Sequence, residues 1–281
     1  MSEAEFRVIE ASRGKQWLFE AWEFMGNSGK PLLRAILLLV LLWSLIRIPI
    51  AGMVIAIFDP LLRGGVLLGI AATMMKQNNQ PGGRVNLLDA WQKPQLRQPL
   101  ILLGLALIAV SFLFGAWVAA DLQLIQEGIA AGTIPTDALQ RLVFAIAINM
   151  AVVGFAVWLG LPELVFRGGS PLPAIVRGIR ATLANWKALG MLGLWLGLGL
   201  FAVFLLLIVV TMLLTSILPA YPLLGFIVLL PGIFVMVYLV AFMFVLQFIC
   251  WRDILAPPNY AEFASRPEKD SADEGETRVI V

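Results

Sequence analysis

The 64 residues from Ala188 to Trp251 contain no Asp, Glu, Lys or Arg. A soluble domain cannot hide so long an uncharged run, whereas a lipid surrounding demands one. Drawn out as one helix it would reach on the order of 96 Å, about three times the hydrocarbon thickness of a bilayer. It therefore has to turn back on itself. Pro219-Ala220-Tyr221-Pro222 supplies the turn, because two of its residues lack an amide donor and have a fixed φ. Spans are predicted at about 189–216 and 223–250.

Two more stretches are free of charge, 23 residues from Gln98 to Ala120 and 21 from Leu142 to Pro162. Each is long enough to cross as a helix, which predicts spans at 99–120 and 140–162. Pro31 to Met75 is apolar but carries Arg34, Arg47, Asp59 and Arg63. Arg34 and Arg47 flank the core Ala35 to Ile46 and can reach opposite interfaces. With Pro49 and Gly52 as a turn, spans follow at 31–48 and 53–73. The expected fold is all-α: a polytopic transmembrane helix bundle of six spans in three hairpins. Residues 1–30 form a cytoplasmic amphipathic segment, 31–250 the membrane domain, and 251–281 a tail expected to be disordered.

Composition narrows the chemistry. Of the residues, 60% are hydrophobic and 14% charged, against about half and a quarter in a soluble domain. Lys and Arg (20) nearly balance Asp and Glu (18), which gives no footing for nucleic acid. There is no histidine, and Cys250 is the one cysteine. That removes histidine acid–base chemistry, most zinc sites and an intrachain disulfide. No nucleotide loop, metal-binding helix or nucleophile elbow is present. The expectation is a protein that is not an enzyme, with no cofactor, no metal and no catalytic residues.

Basic residues set the orientation. Arg7, Arg13, Lys15 and Lys30 precede the first hairpin; Lys76, Arg84, Lys93 and Arg97 follow it. Arg167, Arg177, Arg180 and Lys187 follow the second, and the tail holds Arg252, Arg266, Lys269 and Arg278. The connector Asp121 to Ala138 has Asp121, Glu127 and Asp137 but no base. Both termini are therefore expected in the cytoplasm. Residues 1–30 lack an apolar run of signal-peptide length, so targeting is expected to come from the first span.

An internal repeat is readable. Leu18-Phe19-Glu20-Ala21-Trp22 precedes the first hairpin and Leu87-Leu88-Asp89-Ala90-Trp91 the second, with Ile179 to Trp186 in the corresponding place before the third. These segments are expected to lie on the inner leaflet as amphipathic helices. In the first, Gln16, Glu20, Glu23 and Asn27 oppose Trp17, Leu18, Ala21, Phe24 and Met25. In the third, Arg177, Arg180 and Lys187 oppose Ile175, Val176, Ile179 and Leu183. They serve either as anchors or as surfaces that sense lipid or dock a partner. Trp17, Trp22, Trp91, Trp186 and Trp251 are expected as interfacial anchors, with anionic headgroups as lipid partners.

Two charged pairs stand out. Asp59 and Arg63, beside Pro60, and Glu163 and Arg167, beside Pro162, are each four residues apart and share a helical face. They either line a polar cavity that opens inward, or act as interfacial ion pairs orienting helix ends, with Gly64-Gly65 and Gly168-Gly169 as C-terminal breaks. Small faces, Gly65 with Gly69 and Gly190 with Gly193 and Gly197, predict close helix packing.

Ala11-Ser12-Arg13-Gly14-Lys15-Gln16-Trp17-Leu18, followed by an aromatic amphipathic helix and a Pro-containing hairpin, resembles a family of uncharacterised six-helix proteobacterial inner-membrane proteins. More distantly, the layout is similar to the membrane domain of glycerophosphodiester phosphodiesterases. The resemblance implies a multi-pass inner-membrane location with cytoplasmic termini, and it brings no catalytic residue. The function expected is an accessory, scaffold or envelope-maintenance protein, with a membrane-protein partner or a homo-oligomer as its assembly. The alternative is a transporter of a small solute or lipid working through the charged pairs.

Overall fold

The structure, a computed structural model, describes residues 6–76, 85–133, 135–217 and 224–257. Among them every regular element is a helix: α1 (Arg13–Ser44), α2 (Pro49–Lys76), α3 (Asp89–Gln92), α4 (Pro94–Ala130), α5 (Thr136–Arg167), α6 (Pro171–Ala184), α7 (Trp186–Ile217) and α8 (Leu224–Ile254), with a 3-10 turn at Leu45–Arg47. Five of them, α1, α2, α4, α7 and α8, are long and apolar enough to cross a membrane. Prolines open α4 and α6, where a missing amide hydrogen costs nothing. Gly168 and Gly169, at φ +74° and +88°, stop α5 in the left-handed region that a side chain would resist.

The first expected boundary is absent. Residues 13–30 and the first span are one helix that runs through Pro31. Trp17, Ala21, Phe24, Leu32, Ile36 and Leu39 are all buried, and they form one stripe of helical period on both sides of the proline. Losing one hydrogen bond does not break a helix whose two halves are held by the same neighbours. The predicted apolar face of the N-terminal segment is thus packed against protein, chiefly α8, not laid in headgroups.

Other boundaries also move. α2 continues through Gly64-Gly65 to Lys76, so these glycines do not end it. They make room instead: a Cβ on Gly65 would strike the Leu87 carbonyl, and one on Gly64 would crowd Leu100 and Ala90. The amphipathic segment before the second hairpin has only the four helical residues of α3. Much of the acidic connector is helix, because α4 runs on to Ala130 before Gly132 (φ +73°) turns the chain. The tail starts later than residue 251, since Trp251, Ile254, Leu255 and Ala256 are buried. The turn at Pro219–Pro222, the loop 77–83 and the tail from 258 lie outside the described residues.

The core lies toward one end. It joins α1 from Trp17 to Leu39 with the second halves of α2 and α8, around Leu67, Ile70, Val245 and Ile249. Toward the other end α4, α5 and α7 expose Phe112, Leu113, Phe144, Met150, Phe201 and Phe204. A belt of that apolar area is what lipid-facing helices present.

Candidate functional site

Three carboxylates inside the bundle are held in one manner, by an indole N–H and a guanidinium together. Trp43 Nε1 donates to Asp59 Oδ1 at 2.7 Å while Arg63 Nε binds Oδ2 at 2.6 Å. Trp251 Nε1 donates to Glu163 Oε2 at 3.0 Å, and Arg167 Nη1 reaches Oε1 at 3.3 Å. Trp17 Nε1 and Arg13 Nε both donate to Asp253 Oδ2, at 2.9 and 2.8 Å. An indole brings apolar surface and a donor in one side chain, which suits a carboxylate at the edge of an apolar core.

The two pairs singled out by sequence have different surroundings. Glu163 is wholly buried, 0% exposed, and its second guanidinium is Arg177, whose Nε stands 3.3 Å from Oε1. That nitrogen lacks the alignment of a hydrogen bond, so Arg177 contributes charge rather than a directed bond. Trp251 also stacks on Phe166 at 4.3 Å between ring centres. Glu163 therefore fastens α5, α6 and α8 together, and neither it nor Arg167 is among the residues lining the main cavity. Asp59 and Arg63 do line that cavity, with Trp43, whose ring lies 5.0 Å from the Arg63 guanidinium carbon.

The cavity has a volume of about 600 Å³. Its walls are apolar side chains of α4, α5, α7 and α8, such as Leu107, Leu161, Leu200 and Met243. The Trp43–Asp59–Arg63 corner comes from α1 and α2. Phe58 packs on Trp91 at 5.8 Å, which sets this corner near the level of α3. A second recess of about 290 Å³ between α5 and α7 shares Gly154, Trp158 and Leu196 with the first, so the cavity continues toward the gap between these helices. On the α7 side of that gap Gly193 has open space where a Cβ would stand, as Gly190 and Gly197 have elsewhere on α7. Of the two small faces expected to pack tightly, the one on α7 is unpacked, while Gly65 and Gly69 of α2 lie close against Leu87 and Val85. Close packing is also found where Gly178 of α6 meets Gly160 of α5.

Sequence reasoning missed Gln247. This buried amide donates from Nε2 to Val157 O and Trp158 O, both at 3.0 Å. Trp158 is four residues before Pro162, so its carbonyl has no helical amide hydrogen to accept. Gln247 supplies one across the helix interface. A lone glutamine in a charge-free span was the available signal.

Of the five tryptophans expected at an interface, Trp17 and Trp251 are core residues with carboxylate partners. Their indoles are spent inside the protein, not at headgroups. Trp22 and Trp186 are about two-thirds exposed (64% and 65%) and Trp91 is partly so.

At the same end of the molecule the first and last described stretches of the chain meet. The Arg7 amide donates to Ile254 O at 2.8 Å, and Arg7 Nη2 donates to Arg252 O and Ala256 O, each at 2.8 Å. Asn185, between α6 and α7, accepts from the Ile9 amide and donates to Arg7 O. Arg13, Glu20, Arg252 and Asp253 close a ring of charges beside them. Among the described residues no three His, Cys, Asp or Glu side chains gather as a metal set. Comparison with protein-family models, curated proteins and solved structures returns no match.

Proposed function

We propose that this chain is a six-span, non-enzymatic protein of a bacterial inner membrane, with both termini in the cytoplasm, working as an accessory or scaffold for envelope components. The observation that carries the topology is the bond from Arg7 to Ile254. Residues 7 and 254 touch and so lie on one side, which makes the number of crossings between them even. Five helices qualify by length and apolarity. The 32-residue α5, with its charge-free stretch 142–162, makes the sixth. Arg13, Arg167, Arg177 and Arg252 gather at the end where residue 7 meets residue 254, as a cytoplasmic face requires. The helices exposing apolar side chains at the opposite end support contact with lipid or a membrane partner.

Reporter fusions test the topology. A cytoplasm-active reporter is expected to work after residue 257, and a periplasm-active one when inserted at Gly132. The reverse result, or the same face for both, overturns it. For the scaffold role, cross-linking in intact membranes followed by mild-detergent purification is expected to yield one stoichiometric membrane-protein partner; a monomer with none refutes that part. A second reading, the handling of a lipid or small solute, is favoured by the cavity beside Asp59 and Arg63.

A further inference from the structure

Arg63 spends Nε on Asp59 and lays its guanidinium over Trp43, which leaves its two terminal nitrogens without a protein acceptor among the described residues. Both nitrogens are donors, and each Asp59 oxygen accepts one bond here while having room for a second. The corner is therefore neutral overall, yet offers donors and acceptors side by side. Behind it stand apolar walls, and a methylene takes up about as much space as a water molecule, about 30 Å³. A cavity of about 600 Å³ then holds on the order of 20 such groups. That is about the volume of one acyl chain.

We propose that this cavity binds a single-chain phospholipid with a zwitterionic head, its tail among the α4, α5, α7 and α8 side chains, its phosphate on Arg63 and its ammonium on Asp59, entering through the gap between α5 and α7. The charge match selects the head: Arg63 already offsets Asp59, so an anionic head would leave the corner with one uncompensated negative charge, whereas a zwitterionic head keeps it neutral. The gap selects the route, because Gly154 and Gly193 leave it open where side chains would fill it. The proposal names the ligand of the second reading above and rests on it, not on the scaffold role.

Native mass spectrometry of the full chain, delipidated in detergent, tests it with three probes: lysophosphatidylethanolamine, lysophosphatidylglycerol and diacyl phosphatidylethanolamine. The expected result is one saturable adduct of the first, favoured by about tenfold or more over the other two. Leu200→Trp, which fills the cavity wall, is expected to abolish that adduct with unfolding temperature retained. Asp59→Asn keeps an acceptor for Trp43 but makes the corner cationic, and is expected to turn the preference toward lysophosphatidylglycerol. Should Leu200→Trp fail to fold, the Asp59→Asn inversion decides alone. Equal binding of both heads, an equally strong diacyl adduct, or no change of preference in Asp59→Asn overturns the assignment. Absence of every adduct from folded protein would remove lipid handling altogether, while leaving the reporter result untouched.

Discussion

At the scale of single residues, Gln247 and Pro162 give the sharpest test, because one replaces what the other lacks. Gln247→Leu strands the Trp158 carbonyl in an apolar interface, at a cost of about 1 to 3 kcal/mol. Pro162→Ala restores an amide hydrogen four residues on, so in the Gln247→Leu background it is expected to return about 1 kcal/mol or more. Thermal unfolding of the four proteins of this cycle in one detergent measures the coupling. Two independent costs that simply add would show that the glutamine does not serve the proline. The acids were visible in the sequence through their four-residue spacing to arginine, and both pairs form. Their tryptophans were not, since Trp43 and Asp59 lie 16 positions apart and Trp251 and Glu163 lie 88 apart. No local pattern encodes such a bond. A buried indole needing an acceptor was the only hint available.

Among the elements, helices could be read from hydrophobic runs, but their ends could not. Local rules favour a helix boundary at Pro31, where the first span is predicted to begin. The stripe from Trp17 to Leu39, which crosses it without a change of period, says otherwise. Gly64-Gly65 and Gly168-Gly169 look alike as letters, yet only the second pair ends a helix. At the first, the Leu87 carbonyl occupies the place a side chain would take. Glycines therefore divide into those pressed by a neighbour and those facing a void. A Cβ on Gly178 would sit 2.5 Å from the Gly160 nitrogen and 2.8 Å from its Cα. Gly178→Ala is expected to push α6 off α5 and lower stability by about 1 to 3 kcal/mol. Gly190→Ala meets nothing within 4 Å, and is expected to be neutral or to gain up to about 1 kcal/mol from helix propensity. Unfolding temperatures of the two variants check this, and a reversed order would contradict the packing of α6.

Over the whole molecule, the chain's apolar runs foretold an all-helical, membrane-compatible architecture, because solvent chemistry is written in composition. Which residues would meet was hidden, because contacts such as Arg7 with Ala256 span 249 positions. Arg7→Ala removes the side-chain bonds to Arg252 O and Ala256 O while leaving the backbone bond to Ile254. It is expected to cost about 1 kcal/mol and to speed proteolysis of residues 6–12 in detergent-solubilised protein. Unchanged cleavage would mean that the backbone bond to Ile254 and the Asn185 bonds suffice to hold this segment. The charged ring of Arg13, Glu20, Arg252 and Asp253 belongs to the same junction, and it too joins the two extremes of the sequence.

That junction has a bearing on how the protein is made. Domains generally form from the N-terminus during translation, but the face of α1 bearing Trp17, Ala21 and Phe24 packs chiefly on α8, which leaves the ribosome after every other described helix. Until α8 is made, α1 waits without its main partner, and the Trp17 indole N–H has no Asp253 carboxylate to accept it. Chains that stop short of α8 would therefore carry a built-in mark of incompleteness at their very beginning, legible to any protease or chaperone that patrols nascent membrane proteins.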